Sequence, residues 1–442
     1  MTTTQKGLLA QLRGENERKQ REIIEAAGKT PAELYAEREK RILDAIALRQ
    51  PDRVPVIMAG SYFAARYAGL TASAVYYDPA AYREAVKKTA LDFEPDLIRG
   101  AAGASAGEAL AILDAKQTRW PGGTLPPDVT HQFIEGEYMK EDEYDIFLCD
   151  PTDFTLRYYL PRVYGALAPL ADLPSIATMG GYAVTGAVEL FLSPEFRQIG
   201  EKLVAAAQEQ RNWREAMSGF EEEMATLGFP QLSPGPGLGG SPFDAISDFY
   251  RGMRGSMLDM YRRPEKLLAA CDKVLEMRLA RAMPADAPGQ GGLGLAFMPL
   301  HRGAEGFMSK QQFEAFYWPG LKKTILAIIE IGYTPMPFFE GHFGDRLEYL
   351  LELPKGKVVC HFENTDMAKA KAVLGDHLCI MGNVPSSLLQ IGSVAEVEEY
   401  CKKLIEVCGK GGGFILTHGS TIDEAKPANV KAMVDSVKKY GW

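Results

Sequence analysis

The segment "PFFEGHF" (residues 337–343) ends an apolar run in Glu340-Gly341-His342, a carboxylate and an imidazole two residues apart. Alternation along an extended segment sends residues i and i+2 to the same side, so both side chains can face one cavity. Three readings follow: metal ligands, an acid–base pair, or a polar strand end turning into a loop. Zinc takes carboxylate oxygen, imidazole nitrogen and thiolate sulfur, and a catalytic zinc site uses three protein ligands with one open position. Cys360 and His361 follow in "KVVCHFE", and His418 closes "GFILTHG". Glu340, His342, Cys360 and His418 are therefore the expected metal set, with zinc as the ion. Cys360 and His361 are adjacent, so one of the two faces away, and the register stays open. A Cys-His nucleophilic dyad is discounted, because adjacent residues seldom come within hydrogen-bond reach.

His301 and Arg302 end "LAFMPLHRG". There His301 can move a proton and Arg302 can hold an anionic or oxygen-rich substrate; the bland alternative is a solvated strand end. "SPFDAISDFYRGMRG" (241–255) clusters Asp244, Asp248, Arg251 and Arg254. Asp244 either lines a pocket or caps the helix that follows. Asn383 ends "LCIMGN" and is a candidate for substrate contact, with Asp244 and Arg302. Cys379, Cys401 and Cys408 read as packed thiols, and His377 as a loop residue.

The elements carrying these residues alternate strictly over the last third of the chain. The helix "SKQQFEAFYWPGLKKTILAIIEIG" leads to the 337–343 strand end, "DRLEYLLEL" to "KVVCHFE", "DMAKAKAVLG" to "LCIMGNV", and "SVAEVEEYCKKLIEVCGKG" to "GFILTHG". The strands are continuously apolar, as in a parallel sheet covered by helices on both faces. Consecutive βα units favour a (β/α)₈ barrel or a doubly wound sheet. No G-x-G-x-x-G or Walker pattern marks a nucleotide site. Each strand is apolar at its start and polar at its C-terminal end, the face on which a barrel gathers its chemistry.

Upstream, residues 5–49 read as charged helices, with Thr30-Pro31 starting one of them, and "RVPVIMAG" (53–60) reads as a first strand. The expected organisation is a helical extension over 1–49 and a barrel over 50–442 with an insertion near 120–240. The formal net charge of −9 argues against a nucleic-acid or anionic-membrane partner. No signal peptide and no membrane-spanning run is read. Six cysteines without a CxxC pair predict reduced thiols and a cytoplasmic protein.

"FMSKQQFEAFYWPGLKKTI", "DMAKAKAVLGDHLCIMGNVPSSLLQIGSVAEVEEYCKKLI" and "GGGFILTHGSTIDEAKPANVKAMVDSV" resemble the superfamily of uroporphyrinogen decarboxylase and the corrinoid-dependent methyltransferases. "KRILDAIALRQPDRVPV" is similar to that family's opening helix and first strand. The resemblance implies a (β/α)₈ TIM barrel with its site at the C-terminal face. True decarboxylases of the family carry a basic R-Q-A-G-R-type motif after the first strand, and "IMAGSYFAARYAGL" (57–70) lacks it. The thiol-methylating branch holds zinc with H-x-C and a late cysteine. Here those positions fall on Glu340 and His342, and near Ser420. The resemblance thus implies a methyltransferase component moving a methyl group from a small, methoxylated aromatic donor to a corrinoid protein. No D-x-H-x-x-G signature is present, so the corrinoid is expected on the partner. A homodimer is the expected assembly. His301 and His361 are the expected proton donors to the leaving oxygen, with zinc as a Lewis acid. The alternative is a metal-independent decarboxylase or lyase using His301, Arg302 and Asp244.

Overall fold

The computed structural model describes residues 3–100, 105–178, 180–287 and 292–441. The strands among them are β1 (Ile57–Ala59), β2 (Leu97–Arg99), β3 (Thr118–Arg119), β4 (Gln132–Phe133), β5 (Leu295–Leu300), β6 (Thr334–Phe339), β7 (Val359–Phe362), β8 (Cys379–Val384) and β9 (Phe414–His418). Strands β5 to β9 form one parallel sheet in chain order. Strands β1 and β2 pair in parallel, and Val56 bridges Leu416 in the same sense. Leu232 bridges Leu293 in parallel beside the start of β5. The run is therefore β2-β1-β9-β8-β7-β6-β5, then residues 231–233. Among the described residues no ladder joins 231–233 to β2. Strands β3 and β4 are a separate antiparallel pair.

Parallel neighbours need a crossover, and helices supply it. Trp318–Glu330 precedes β6, Met367–Leu374 precedes β8, Val394–Leu404 precedes β9, and Pro427–Tyr440 follows it. Strands β7, β8 and β9 are buried at every position. Side-chain alternation splits them between two apolar clusters. Val359, Cys379, Met381 and Ile415 join Ile57 and Leu97 in an inner cluster shared by strands from both sheets. Cys360, Ile380, Phe414 and Leu416 pack outward against the helices.

The helix Pro31–Ile46 is started by Thr30, whose hydroxyl accepts from the Glu33 amide while Glu33 reaches back to the Thr30 amide. This reciprocal pairing satisfies two otherwise orphaned donors. Its Ile42, Ala45 and Ile46 side chains enter the inner cluster. Arg41 on the same helix binds Asp52 at 2.6 Å and the fully buried Asp96 at 2.5 Å. Asp96 also takes Arg53 and the Val56 amide, each at 2.8 Å. The helix is thereby fixed to the N-terminal ends of β1 and β2, closing the end of the inner core away from the strand C-termini. No helix among the described residues is long and apolar enough to cross a membrane.

Candidate active site

The Gly/Pro loop before residue 241 packs tightly on β5. A Cβ at Gly240 would sit 2.1 Å from the Pro299 carbonyl oxygen, so only glycine permits the approach. Ser241 then caps the next helix by accepting from the Phe243 amide at 3.2 Å, with Pro242 in the first turn. The cap role is thus taken by Ser241, which frees Asp244 for the end of β5. The Asp244 carboxylate accepts from the His301 amide at 3.2 Å, the Arg302 amide at 2.9 Å and the Tyr317 hydroxyl at 2.6 Å. Burial, then the neighbouring Asp248, pushes its carboxyl up to about 6.

Asp248 lies four residues on, along the π-helical turn Ile246–Arg251, and faces the same strand end. Its Oδ2 lies 2.5 Å from His301 Nδ1, and its Oδ1 lies 3.0 Å from Arg302 Nη2. Burial lowers the His301 imidazole, but the Asp248 hydrogen bond and charge outweigh it and hold the ring up to about 9. His301 Nε2 points to the Glu340 carboxylate 3.7 Å away. Burial raises Glu340 above the usual carboxylate range, against the His301 charge. Arg302 donates from Nε to Ser247 at 3.0 Å, lies 3.7 Å from Glu135, and covers the Phe307 ring at 5.0 Å. Its charge is met within the protein.

Glu340 lines a cavity of about 820 Å³ inside the strand ends, whose walls include Arg99, Phe297, Phe338, His361 and His418. His361 points inward. Its Nε2 donates to the His418 carbonyl at 3.0 Å, which leaves Nδ1 with its lone pair, buried and without a partner among the described residues. Burial, with the nearby Arg99 cation, holds the ring far below the usual imidazole range. His418 Nε2 accepts the Ala59 amide at 2.9 Å, and its Nδ1 donates to the Ser420 carbonyl. Burial pushes that imidazole down to about 3.

These placements revise several expectations from sequence. The set Glu340, His342, Cys360 and His418 is not brought together. Cys360 is fully buried in the outer apolar cluster, where burial raises its thiol well above the usual range. His342 is exposed on the rim, 3.2 Å from the Asn364 amide nitrogen. Both ring nitrogens of His418 serve the backbone. Among the described residues no group of three or more potential ligands is disposed to hold a metal ion. This donor set does not fit zinc. The Nε2 proton of His361 is spent on the His418 carbonyl, so toward a ligand the ring offers the Nδ1 acceptor and not a proton. Asn383 donates to the Thr365 carbonyl at 2.8 Å and accepts from the Tyr400 hydroxyl at 3.2 Å, so both ends of its amide serve the fold. Asp244, His301, Arg302 and Glu340 do converge. Asp248 and Tyr317 complete that group, and Arg99 was missed altogether. The strand-end pattern applied to "DLIRG" (96–100) would have found it.

Residues 231–440 match the uroporphyrinogen decarboxylase (URO-D) family model. The uroporphyrinogen decarboxylase of Chlorobium phaeovibrioides is 33% identical over 79 residues, 17% of this chain and 22% of that one. That of Chlorobaculum parvum is 26% identical over 139 residues, 30% of this chain and 38% of that one. The matched segments thus span well under half of these curated relatives. The structure of a methyltransferase from Methanosarcina mazei superposes with a TM-score of 0.56 at 15% identity, covering 90% of this chain and 98% of the other. Over residues 231–440 the chain is thus similar to the uroporphyrinogen decarboxylase family. The overall arrangement is similar to that of this solved structure.

Proposed function

We propose that this chain is a methyltransferase component that removes a methyl group from an oxygen-linked donor, at the C-terminal mouth of a (β/α)₈ barrel completed by residues 231–233. The observation that carries the reading is His301, bound through Nδ1 to buried Asp248 with Nε2 directed to Glu340 at the cavity rim. When the carbon–oxygen bond breaks, its electron pair stays on oxygen, and a positioned acid at that atom lowers the barrier. His301 Nε2 gives up that proton and Asp248 keeps the ring oriented. Asp244 holds the strand end through two amides and positions His301 without touching the donor. A corrinoid on a partner protein supplies the nucleophile that takes the methyl group. The six cysteines carry free thiols, which suits a reducing cytoplasm.

Methyl transfer from a panel of methoxyarenes to free cob(I)alamin, run beside an assay of carbon dioxide release, tests the proposal. Transfer without decarboxylation, abolished by His301→Gln, is the expected result. Carbon dioxide release without transfer overturns it in favour of a metal-independent decarboxylase.

A further inference from the structure

Deepening that proposal, on which its location rests, we infer that the cavity takes an aromatic carboxylate whose anionic group is held by Arg99. Arg99 ends β2 and lines the cavity. No ion pair or hydrogen bond engages its guanidinium among the described residues, and its Nε is buried without a partner. A partly buried guanidinium whose Nε meets neither solvent nor a counter-ion among the described residues carries a cost, which an anion delivered by a ligand would relieve. Three carboxylates elsewhere in the site, Asp244, Asp248 and Glu340, face His301 and Arg302 and leave Arg99 unpaired.

The surroundings of Arg99 specify the rest of the ligand. Its guanidinium carbon sits 4.6 Å above the Phe297 ring. Phe297 stacks on Phe338 with centroids 6.1 Å apart and planes 26° apart, and Phe338 meets His361 at 4.4 Å and 32°. Cation, two phenyl rings and a neutral imidazole thus follow one another along one wall. A planar ring fits that wall, with its carboxylate in the fork of the guanidinium, which pairs with carboxylates in bidentate fashion. The partnerless His361 Nδ1 can then accept from a hydroxyl on the same ring. Burial draws the guanidinium down to about 10, so it stays charged at neutral pH.

Calorimetric titration of the full chain with benzoate, 4-methoxybenzoate and neutral 4-methoxybenzyl alcohol tests this inference. Benzoate carries no methyl group, so its binding is independent of any transfer reaction. Both carboxylates are expected to bind more tightly than the alcohol, and Arg99→Gln to erase that preference with a loss of roughly 10- to 100-fold for the carboxylates alone. Arg99→Lys should restore part of it. Equal binding of alcohol and carboxylates by the unaltered chain, no binding of any of the three, or a preference that survives Arg99→Gln overturns the inference. Carboxylate binding through Arg99 in a chain that transfers no methyl group would sink only the proposed reaction. Transfer from neutral donors without carboxylate preference would sink only the inference.

Discussion

His301 Nδ1 lies 2.5 Å from Asp248 Oδ2, which ties a strand end to a helix that precedes it by 53 residues. The carboxylate is buried, whereas the far nitrogen of the imidazole reaches toward Glu340 at the rim. One edge of the ring is thus fixed and charged from inside the protein, and the other is offered to a ligand.

Replacing Asp248 with Asn removes the main cause that lifts His301. The imidazole should then titrate well below about 9, because burial, which lowers it, is opposed only by the charges of Asp244 and Glu340. The alkaline limb of the pH–rate profile should move to lower pH. For stability, the raised folded value means that the His301 contribution is full below about 6.5 and is lost as pH rises through about 9. Imidazole NMR titration of both proteins checks the shift directly.

His301→Gln keeps a hydrogen-bonding side chain but cannot supply the proton. Transfer from unactivated aryl methyl ethers should fall by about 10²- to 10⁴-fold. A nitro-substituted aryl ether, whose oxygen leaves without protonation, should retain most of its rate. Equal losses for the two donors would exclude the acid role.

His418 and His361 are buried as neutral rings, His418 pushed down to about 3 and His361 well below its ordinary value. An unfolded chain protonates both near pH 6.5, so their contribution is complete above that pH and lost as pH falls toward 3. Denaturant melts at pH 7, 5 and 4 should show stability falling with each step. His418→Gln should be less stable at pH 7, because the Ala59 amide loses its acceptor at a cost of about 1–3 kcal/mol, but should fall less steeply with acid.

Cys360→Ala tests the placement of that thiol in the outer core. Metal content of the purified protein should equal that of the unaltered chain, while stability drops by about 1 kcal/mol through the small cavity left behind. A lower metal content in the variant would return Cys360 to the ligand set.

Much of this site was readable in advance because strand alternation and strand-end polarity are local properties. His301 and Glu340 could be assigned to strand ends on one face from the βα pattern alone, whereas Asp244 stayed between lining a pocket and capping a helix. What local pattern does not contain is register. Cys360 and His361 are neighbours with opposite fates, and only the pairing of His361 with Met381 across β7 and β8 fixes which one turns inward. Nor does it contain prior engagement by backbone. His418 and Asn383 look available in sequence, yet both are spent on amides, carbonyls or a tyrosine distant in the chain. Arg99 is the converse case. It sits on a strand of three residues, and its significance lies in the missing partner, a property no single residue type announces.

The helix Pro31–Ile46, seated under the inner cluster, closes the core at the end away from the strand C-termini, so the cavity opens on the side of the strand C-terminal ends. Traffic through a shared entrance has a sequence. On the proposed reaction, a donor must be aboard before an acceptor protein settles over the entrance, and the demethylated product waits until that protein departs. Steady-state inhibition patterns should therefore be those of compulsory-order binding. Loosening Ile42 or Ile46 at the closed end should relax that order without touching a residue that meets the substrate.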